Sequence, residues 1–335
     1  MEIEGHRLDK KILIVAEIGG NHEGDFGAAK EMVEAAATTG VDAVKFQTYR
    51  AAKIVTSQER ARFEHYRRFE LAEEEFAALA ALARERGLVF LSTPFDRESA
   101  DFLDPLVPAF KIASGDLPCL PLVAHVAAKG KPVLLSTGMS EVVELQEAVR
   151  VIEQACPAIP LEERLVLLHC VSSYPTMEED AHLRGIPFLR ETFGVPVGYS
   201  DHTLGILACT AAAALGACVL EKHFTLQREG RTFPDHILSA DVAVMTELVR
   251  QVRAVERLLG EYGKRPLPCE ETRRVTMRRS LAAARPIMEG EILTEEALTF
   301  LRPATGLPPR LEGIVGRRAR RALAAGVLLT PEDVE

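Results

Sequence analysis

The chain has 335 residues, 47% of them hydrophobic, enough for one large domain and a smaller one. A formal net charge of −9 with no basic face argues against nucleic acid as a partner, and no apolar stretch approaches a membrane span. The six cysteines occur singly and Met1 to Lys11 has no apolar leader, so the sequence reads as a soluble cytoplasmic protein with reduced thiols.

Ile12 to Ile18 is an apolar run broken only by Glu17, the pattern of a buried parallel strand with a carboxylate at its exit. A loop from Gly19 to Asp25 leads to a helix over Ala28 to Thr38, closed by Gly40. Ala43 to Gln47 is the second strand and carries Lys45. Thr48 to Glu70 is a charged insertion, more lid than core. A helix over Glu73 to Arg86 precedes the strand Val89 to Pro94, and Ala109 to Ile112 runs into Ala113-Ser-Gly-Asp116. Leu120 to Lys129 is helical, Pro132 to Gly138 a strand and its turn, Glu141 to Ala155 a helix, and Leu165 to Cys170 a strand. Val195 to Val197 and Cys218 to Leu220 are the last two apolar runs, separated by an Ala-rich helix from Leu204 to Gly216.

Eight strand-like runs alternating with helices over about 250 residues have the size and rhythm of a (β/α)8 TIM barrel. An open doubly wound sheet is the alternative, but Glu17-Ile-Gly-Gly-Asn-His matches a dinucleotide turn poorly. Each strand exit carries polar residues: Glu17, Lys45 with Gln47, Ser92 with Thr93, Lys111 with Ser114 and Asp116, Ser136 with Thr137, Ser172 with Tyr174, Ser200 with His202, and Lys222 with His223. One serine alone reads as a helix cap. The set, with two strand lysines that need an anionic partner, reads as a cradle for a phosphate. His202 and His223 end adjacent strands and can share one ion. With only two protein nitrogens, that ion is an exchangeable Mn²⁺ or Mg²⁺ and not a closed structural zinc.

After the last helix, Val242 to Leu259, a Gly/Pro-bearing linker leads to a tail with an internal echo. Ile287 to Leu298 aligns with Leu323 to Val334, which suggests a small, pseudo-symmetric, mostly irregular β domain. The expected boundaries are 1–262 for the barrel, 263–276 for the linker and 277–335 for the tail.

Together, Ala16-Glu-Ile-Gly with Asn21-His22, Val44-Lys-Phe-Gln47, Ser92-Thr-Pro-Phe95, Lys111-Ile-Ala-Ser-Gly-Asp116, Ser136-Thr-Gly-Met139, Tyr199-Ser-Asp-His-Thr203 and Glu221-Lys-His-Phe-Thr225 resemble the sialic acid synthase (N-acetylneuraminate synthase) family. The tail looks like its C-terminal SAF, or antifreeze-like, domain. The resemblance implies a metal-dependent condensation of phosphoenolpyruvate with N-acetylmannosamine or a relative, giving a nine-carbon 2-keto acid and phosphate with C–O cleavage. By the same resemblance, His202 and His223 hold Mn²⁺, while Lys45, Thr93, Lys111, Ser114, Ser136 and Ser172 hold phosphoenolpyruvate, with Ser200 close by. Glu17, Gln47, Tyr174 and Asp235 face the sugar, and Asp116 positions or deprotonates a water. Arg302 reaches the acyl group in a partner's barrel within a domain-swapped homodimer.

The chain departs from the family pattern at Asp116, where some members have Glu, at Ser172, often Asn, and at Phe233, a glycine elsewhere. The last two leave the acceptor open between N-acetylmannosamine, its 6-phosphate and a 2,4-diacetamido-trideoxyhexose leading to legionaminic or pseudaminic acid. Two other classes compete: a Schiff-base aldolase using Lys45, Lys111 or Lys222, and a carbohydrate- or ice-binding tail on an inert barrel.

Overall fold

In the computed structural model, which describes residues 1–335, eight parallel strands form one sheet. They are β1 (Leu13–Gly19), β2 (Ala43–Thr48), β3 (Val89–Pro94), β4 (Phe110–Ile112), β5 (Val133–Ser136), β6 (Leu165–His169), β7 (Val197–Asp201) and β8 (Val219–His223). The hydrogen-bonded order is β3-β2-β1-β8-β7-β6-β5-β4, so β8 lies beside β1 and each other strand beside its sequence neighbours. β3 and β4, at the two ends of that order, lie side by side and nearly close the ring. This is the TIM-barrel architecture expected from the rhythm of the sequence.

Side chains alternate across each strand, so one row of every strand points into the barrel. That inner row is apolar in its first half: Leu13, Val15, Val89, Leu91, Leu134, Val166, Leu168 and Val219 form a buried cluster of their own. Two residues further along each strand the same row becomes Glu17, Thr93, Ser136 and Glu221. A short hairpin (Glu2–Ile3 with His6–Arg7), not foreseen in the sequence, adds Ile3 and Leu8 to the inner cluster. Gly198 of β7 stands where that interior is tightest: a Cβ there would come within 2.6 Å of both Leu168 and the Val219 carbonyl.

The outer row of each strand, including Ile14, Val44, Phe46, Phe90, Phe110, Leu135, Leu167 and Leu220, packs against the helices in the main core. Burying each such side chain contributes roughly 1.5–3 kcal/mol. The first crossover shows why helices form where they do. In α1 (Phe26–Thr39), Asp25 caps the Ala28 amide at 3.0 Å, Gly40 ends the helix with φ 82°, and Ala29, Met32, Val33 and Ala36 make one buried stripe. The insertion after β2 holds two short helices, Ala51–Ile54 and Arg60–Arg68, the second burying none of its residues. The helix after β7 is shorter than the sequence suggested, Leu207–Ala214, because Gly205 takes a left-handed φ of 75° just before it. No helix is long and apolar enough to cross a membrane.

Met1–Gly260 and Glu261–Glu335 are separate compact units. In the second, strands Ser280–Ala283 and Leu298–Leu301 pair antiparallel over a small core of its own. The internal echo is structural. Ile287 and Leu323, matched in the alignment, exchange backbone hydrogen bonds at 2.9 and 2.8 Å, while Gly290 and Gly326 share a left-handed φ. Thr294 and Thr330 each open a 3-10 turn.

Candidate active site

A cavity of about 540 Å³ opens at the carboxyl ends of the barrel strands. Glu17, Lys45, Gln47, Thr93, Lys111, Ser114, Ser136, Ser172, Tyr174, Ser200, His202, His223 and Asp235 all line it. Asp116 lies one residue beyond the lining residue Gly115 and does not line the cavity itself. Arg302 belongs to the other unit, where it is exposed just after a strand.

Two ammonium groups and two carboxylates meet at the cavity floor. Lys45 Nζ lies 2.6 Å from Glu17 and 3.2 Å from the Thr93 hydroxyl. Glu221 Oε1 stands 3.7 Å from both Lys45 and Lys111 and accepts from Ser200 Oγ at 3.0 Å. All four charged groups are buried. Burial by itself raises Glu221, but Lys111, Lys45 and the Ser200 hydroxyl hold it below its ordinary value. With Glu221 ionised, Glu17 is the carboxyl that takes a proton: burial drives it up to about 7 against the opposing pull of Lys45. Burial lowers Lys111.

The hydroxyl side of the cavity is built around Gly138. A Cβ on it would stand 2.5 Å from Ser172 Oγ and 3.0 Å from Ser114 Oγ, and its amide donates to Ser114 Oγ at 3.0 Å. Ser136 Oγ nearby and Glu221 Oε2 are buried without a partner in the protein. Buried polar atoms of this kind ordinarily face a ligand or water.

His202 and His223 come together as expected, with ring centroids 5.5 Å apart, and Tyr174 lies 4.1 Å from His202. The Val171 carbonyl accepts from His202 Nδ1 at 2.7 Å, which puts the proton there and leaves the Nε2 lone pair free. His223 Nδ1 is buried with no hydrogen bond; Asp235 is 3.6 Å from it. Burial lowers both histidines, and for His223 the proximity of His202 adds to the effect. Neutral imidazoles are what a cation requires. Burial raises Asp235 to about 6, and raises Asp116 to about 6 against the opposing charge of Lys111.

Lys222 is not in the cavity. It sits on the opposite face of β8, paired with Asp201 at 2.8 Å and donating to the Thr203 carbonyl. That removes it from the candidate Schiff-base lysines. Sequence reasoning also missed Glu221, which carries the counter-charge for both strand lysines. The available signal was its place two residues before His223 on the same inward row. The aromatic residues Tyr49, His65, Tyr66 and Phe95 of the cavity wall were missed as well.

Residues 32–264 match the NeuB family, and residues 278–335 match the SAF domain. The N,N'-diacetyllegionaminic acid synthase of Legionella pneumophila is 40% identical over 337 residues, covering 96% of this chain and 94% of that protein. Human N-acetylneuraminate-9-phosphate synthase is 36% identical over 336 residues, covering 96% and 89%. The crystal structure of an N-acetylneuraminic acid synthetase from Leptospira borgpetersenii, in complex with citrate, superposes with a TM-score of 0.74 at 32% identity, covering 78% of this chain and 90% of that one.

Proposed function

The chain belongs to the NeuB family and ends in an SAF domain, and on that premise we propose that it joins phosphoenolpyruvate to N-acetylmannosamine or a related 2-acylamino sugar. C3 of the enol bonds to the aldehyde carbon, water adds at C2, and the bond from C2 to the phosphate oxygen breaks. The products are a nine-carbon 2-keto acid and inorganic phosphate. The observation that carries this reading is the convergence of two buried lysines, a ring of hydroxyls and a neutral histidine pair in one cavity. A 2,4-diacetamido-trideoxyhexose acceptor is the second reading, favoured by the identity to the Legionella enzyme. Six free cysteines fit a reducing, cytoplasmic setting.

In this proposal Lys45, Lys111, Thr93, Ser114, Ser136, Ser172 and Ser200 grip phosphoenolpyruvate, while Glu17, Gln47, Tyr174 and Asp235 face the sugar. Glu17, whose burial raises its carboxyl well above the usual range, passes its proton to the aldehyde oxygen as the carbon–carbon bond forms. His202 and His223 fit a divalent ion, Mn²⁺ or Mg²⁺, because both are neutral and one buried ring nitrogen lacks a partner. When bound, such an ion polarises the aldehyde oxygen as a Lewis acid.

The decisive experiment is phosphate release from phosphoenolpyruvate against a panel of mannosamine derivatives and diacetamido sugars. Release with none of them sinks the proposal. Borohydride with substrate is expected to trap no covalent adduct, whereas EDTA is expected to stop turnover; the reverse pattern favours the Schiff-base class.

Asp116 is the proposed base for the water. A base must be ionised, so kcat/KM is expected to rise with pH through about 6. In Asp116→Asn that limb disappears and the rate falls about a hundredfold. Stability moves in the opposite sense. A carboxyl raised in the folded state favours folding below its unfolded pKa, and that contribution is lost as pH rises through about 6. Asp116→Asn therefore flattens the melting temperature across this window, and an unchanged pH–rate profile would exclude the role.

Arg302 is proposed to complete the acceptor site of a partner in a domain-swapped homodimer. Mixing Arg302→Ala with a full-length His202→Ala chain is then expected to restore activity that neither variant has alone. Full activity of Arg302→Ala by itself would count against the swap.

A further inference from the structure

The loop that carries Asp235 joins β8 to the helix Val242–Leu259 and lines the cavity with Phe233, Pro234 and Asp235. Its ends are stitched to the barrel: the amide of Thr225 donates to Ala240 and that of Ala240 to His223, at 2.9 and 2.7 Å. Asn21 Nδ2 donates to the Phe224 carbonyl and to Ser239 Oγ at 2.8 and 2.9 Å, fixing the base of the loop. The far part of the loop is held differently, by a single carboxylate. Glu23 Oε1, in the turn after β1, accepts from the Thr232 amide at 2.6 Å, the Thr232 hydroxyl at 2.7 Å and the Phe233 amide at 2.9 Å. His236 lies 3.8 Å from the same oxygen.

That clamp sets the position of Phe233. Its ring lies against Gly20 so closely that a Cβ there would come within 2.5 Å of it. It stacks on His65 at 6.0 Å and 10° and meets Phe69 edge-on at 5.1 Å, both from the insertion after β2. Loops from three adjacent strands, β8, β1 and β2, thus lock together through one ring. They stand across the barrel from the hydroxyls that follow β4, β5 and β6. Glu23 adopts a left-handed φ of 52°, a conformation that costs a non-glycine residue energy and that the three hydrogen bonds offset.

We propose that Glu23 is a positioning residue for the acceptor sugar. It holds Thr232–Phe233 so that Phe233, with Tyr66 and Asp235, forms the wall the sugar packs against, and so it acts on acceptor binding and not on the enolpyruvyl phosphate. The proposal rests on the condensation reading above. It predicts that the acceptor end and the phosphate end of one cavity respond separately to substitution.

The test uses the full chain with Mn²⁺. Glu23→Gly removes the clamp and at the same time relieves the left-handed backbone, so the fold is not placed under new strain. It is expected to raise KM for the acceptor about tenfold and leave KM for phosphoenolpyruvate within about twofold. Phe233→Gly is expected to reproduce that split, and the double variant to add little to either single one, because both act through the same wall. Glu23→Gln, which keeps an accepting oxygen, restores most of the acceptor affinity. An acceptor KM unchanged in Glu23→Gly, or both KM values raised together, overturns the proposal. If the wild-type chain releases no phosphate with any acylamino sugar, the condensation reading fails on its own. Amide hydrogen exchange at Thr232 and Phe233 then still judges the clamp: exchange in Glu23→Gly no faster than in the wild type overturns it.

Discussion

Replacing His202 by alanine is expected to cut metal-dependent phosphate release about a thousandfold while the barrel stays folded. The imidazole is buried at the end of β7, but its only hydrogen bond in the protein goes to the Val171 carbonyl. Losing it costs stability of the order of 1 kcal/mol. Polarisation of a carbonyl by a divalent ion, in contrast, is worth several kcal/mol of the barrier. The two effects therefore separate cleanly. Initial rates with and without added Mn²⁺ measure one, and thermal melting by circular dichroism measures the other. A His202→Ala protein that keeps wild-type, EDTA-sensitive turnover would show that the ion is held elsewhere.

The second large effect concerns Glu221, the carboxylate shared by Lys45 and Lys111. Glu221→Gln leaves two buried ammonium groups with Glu17 as the one carboxylate beside them. Removing one partner from a buried charge cluster is strongly destabilising, about 3 kcal/mol or more, which lowers the melting temperature by roughly 5–10 °C. An anion that binds between the lysines supplies the missing counter-charge. Adding phosphoenolpyruvate or inorganic phosphate is thus expected to raise the melting temperature more in the variant than in the wild type, by linkage. A variant that melts within a degree of the wild type, or gains nothing from phosphate, would mean that the lysines do not share this carboxylate.

The sequence alone carried the barrel because its strands are parallel and buried on both faces, so they stand out as short apolar runs. It also carried most of the cavity lining, since Glu17, Lys45, Lys111, Ser200 and His202 interrupt those runs at their carboxyl ends, where apolar burial gives way to polar side chains. Glu221 was harder to pick out. It sits next to Lys222, and two adjacent charges in a strand point to opposite faces, so without the register either one fits the cavity. Most of the aromatic wall lies in the insertion after β2, whose charged sequence marks it as a lid but does not show that His65 and Phe69 meet Phe233. The Glu23 clamp joins residues 209 positions apart, and two of its three donors are backbone amides, which leave no residue-type signature.

The reciprocal bonds between Ile287 and Leu323 join the two halves of the C-terminal unit at equivalent positions. A peptide that pairs with a copy of itself about a twofold axis is a homodimer, and here both copies occupy one polypeptide. Their association therefore needs no second chain, and Leu293 and Leu329, matched in the repeat and both wholly buried, anchor the two halves.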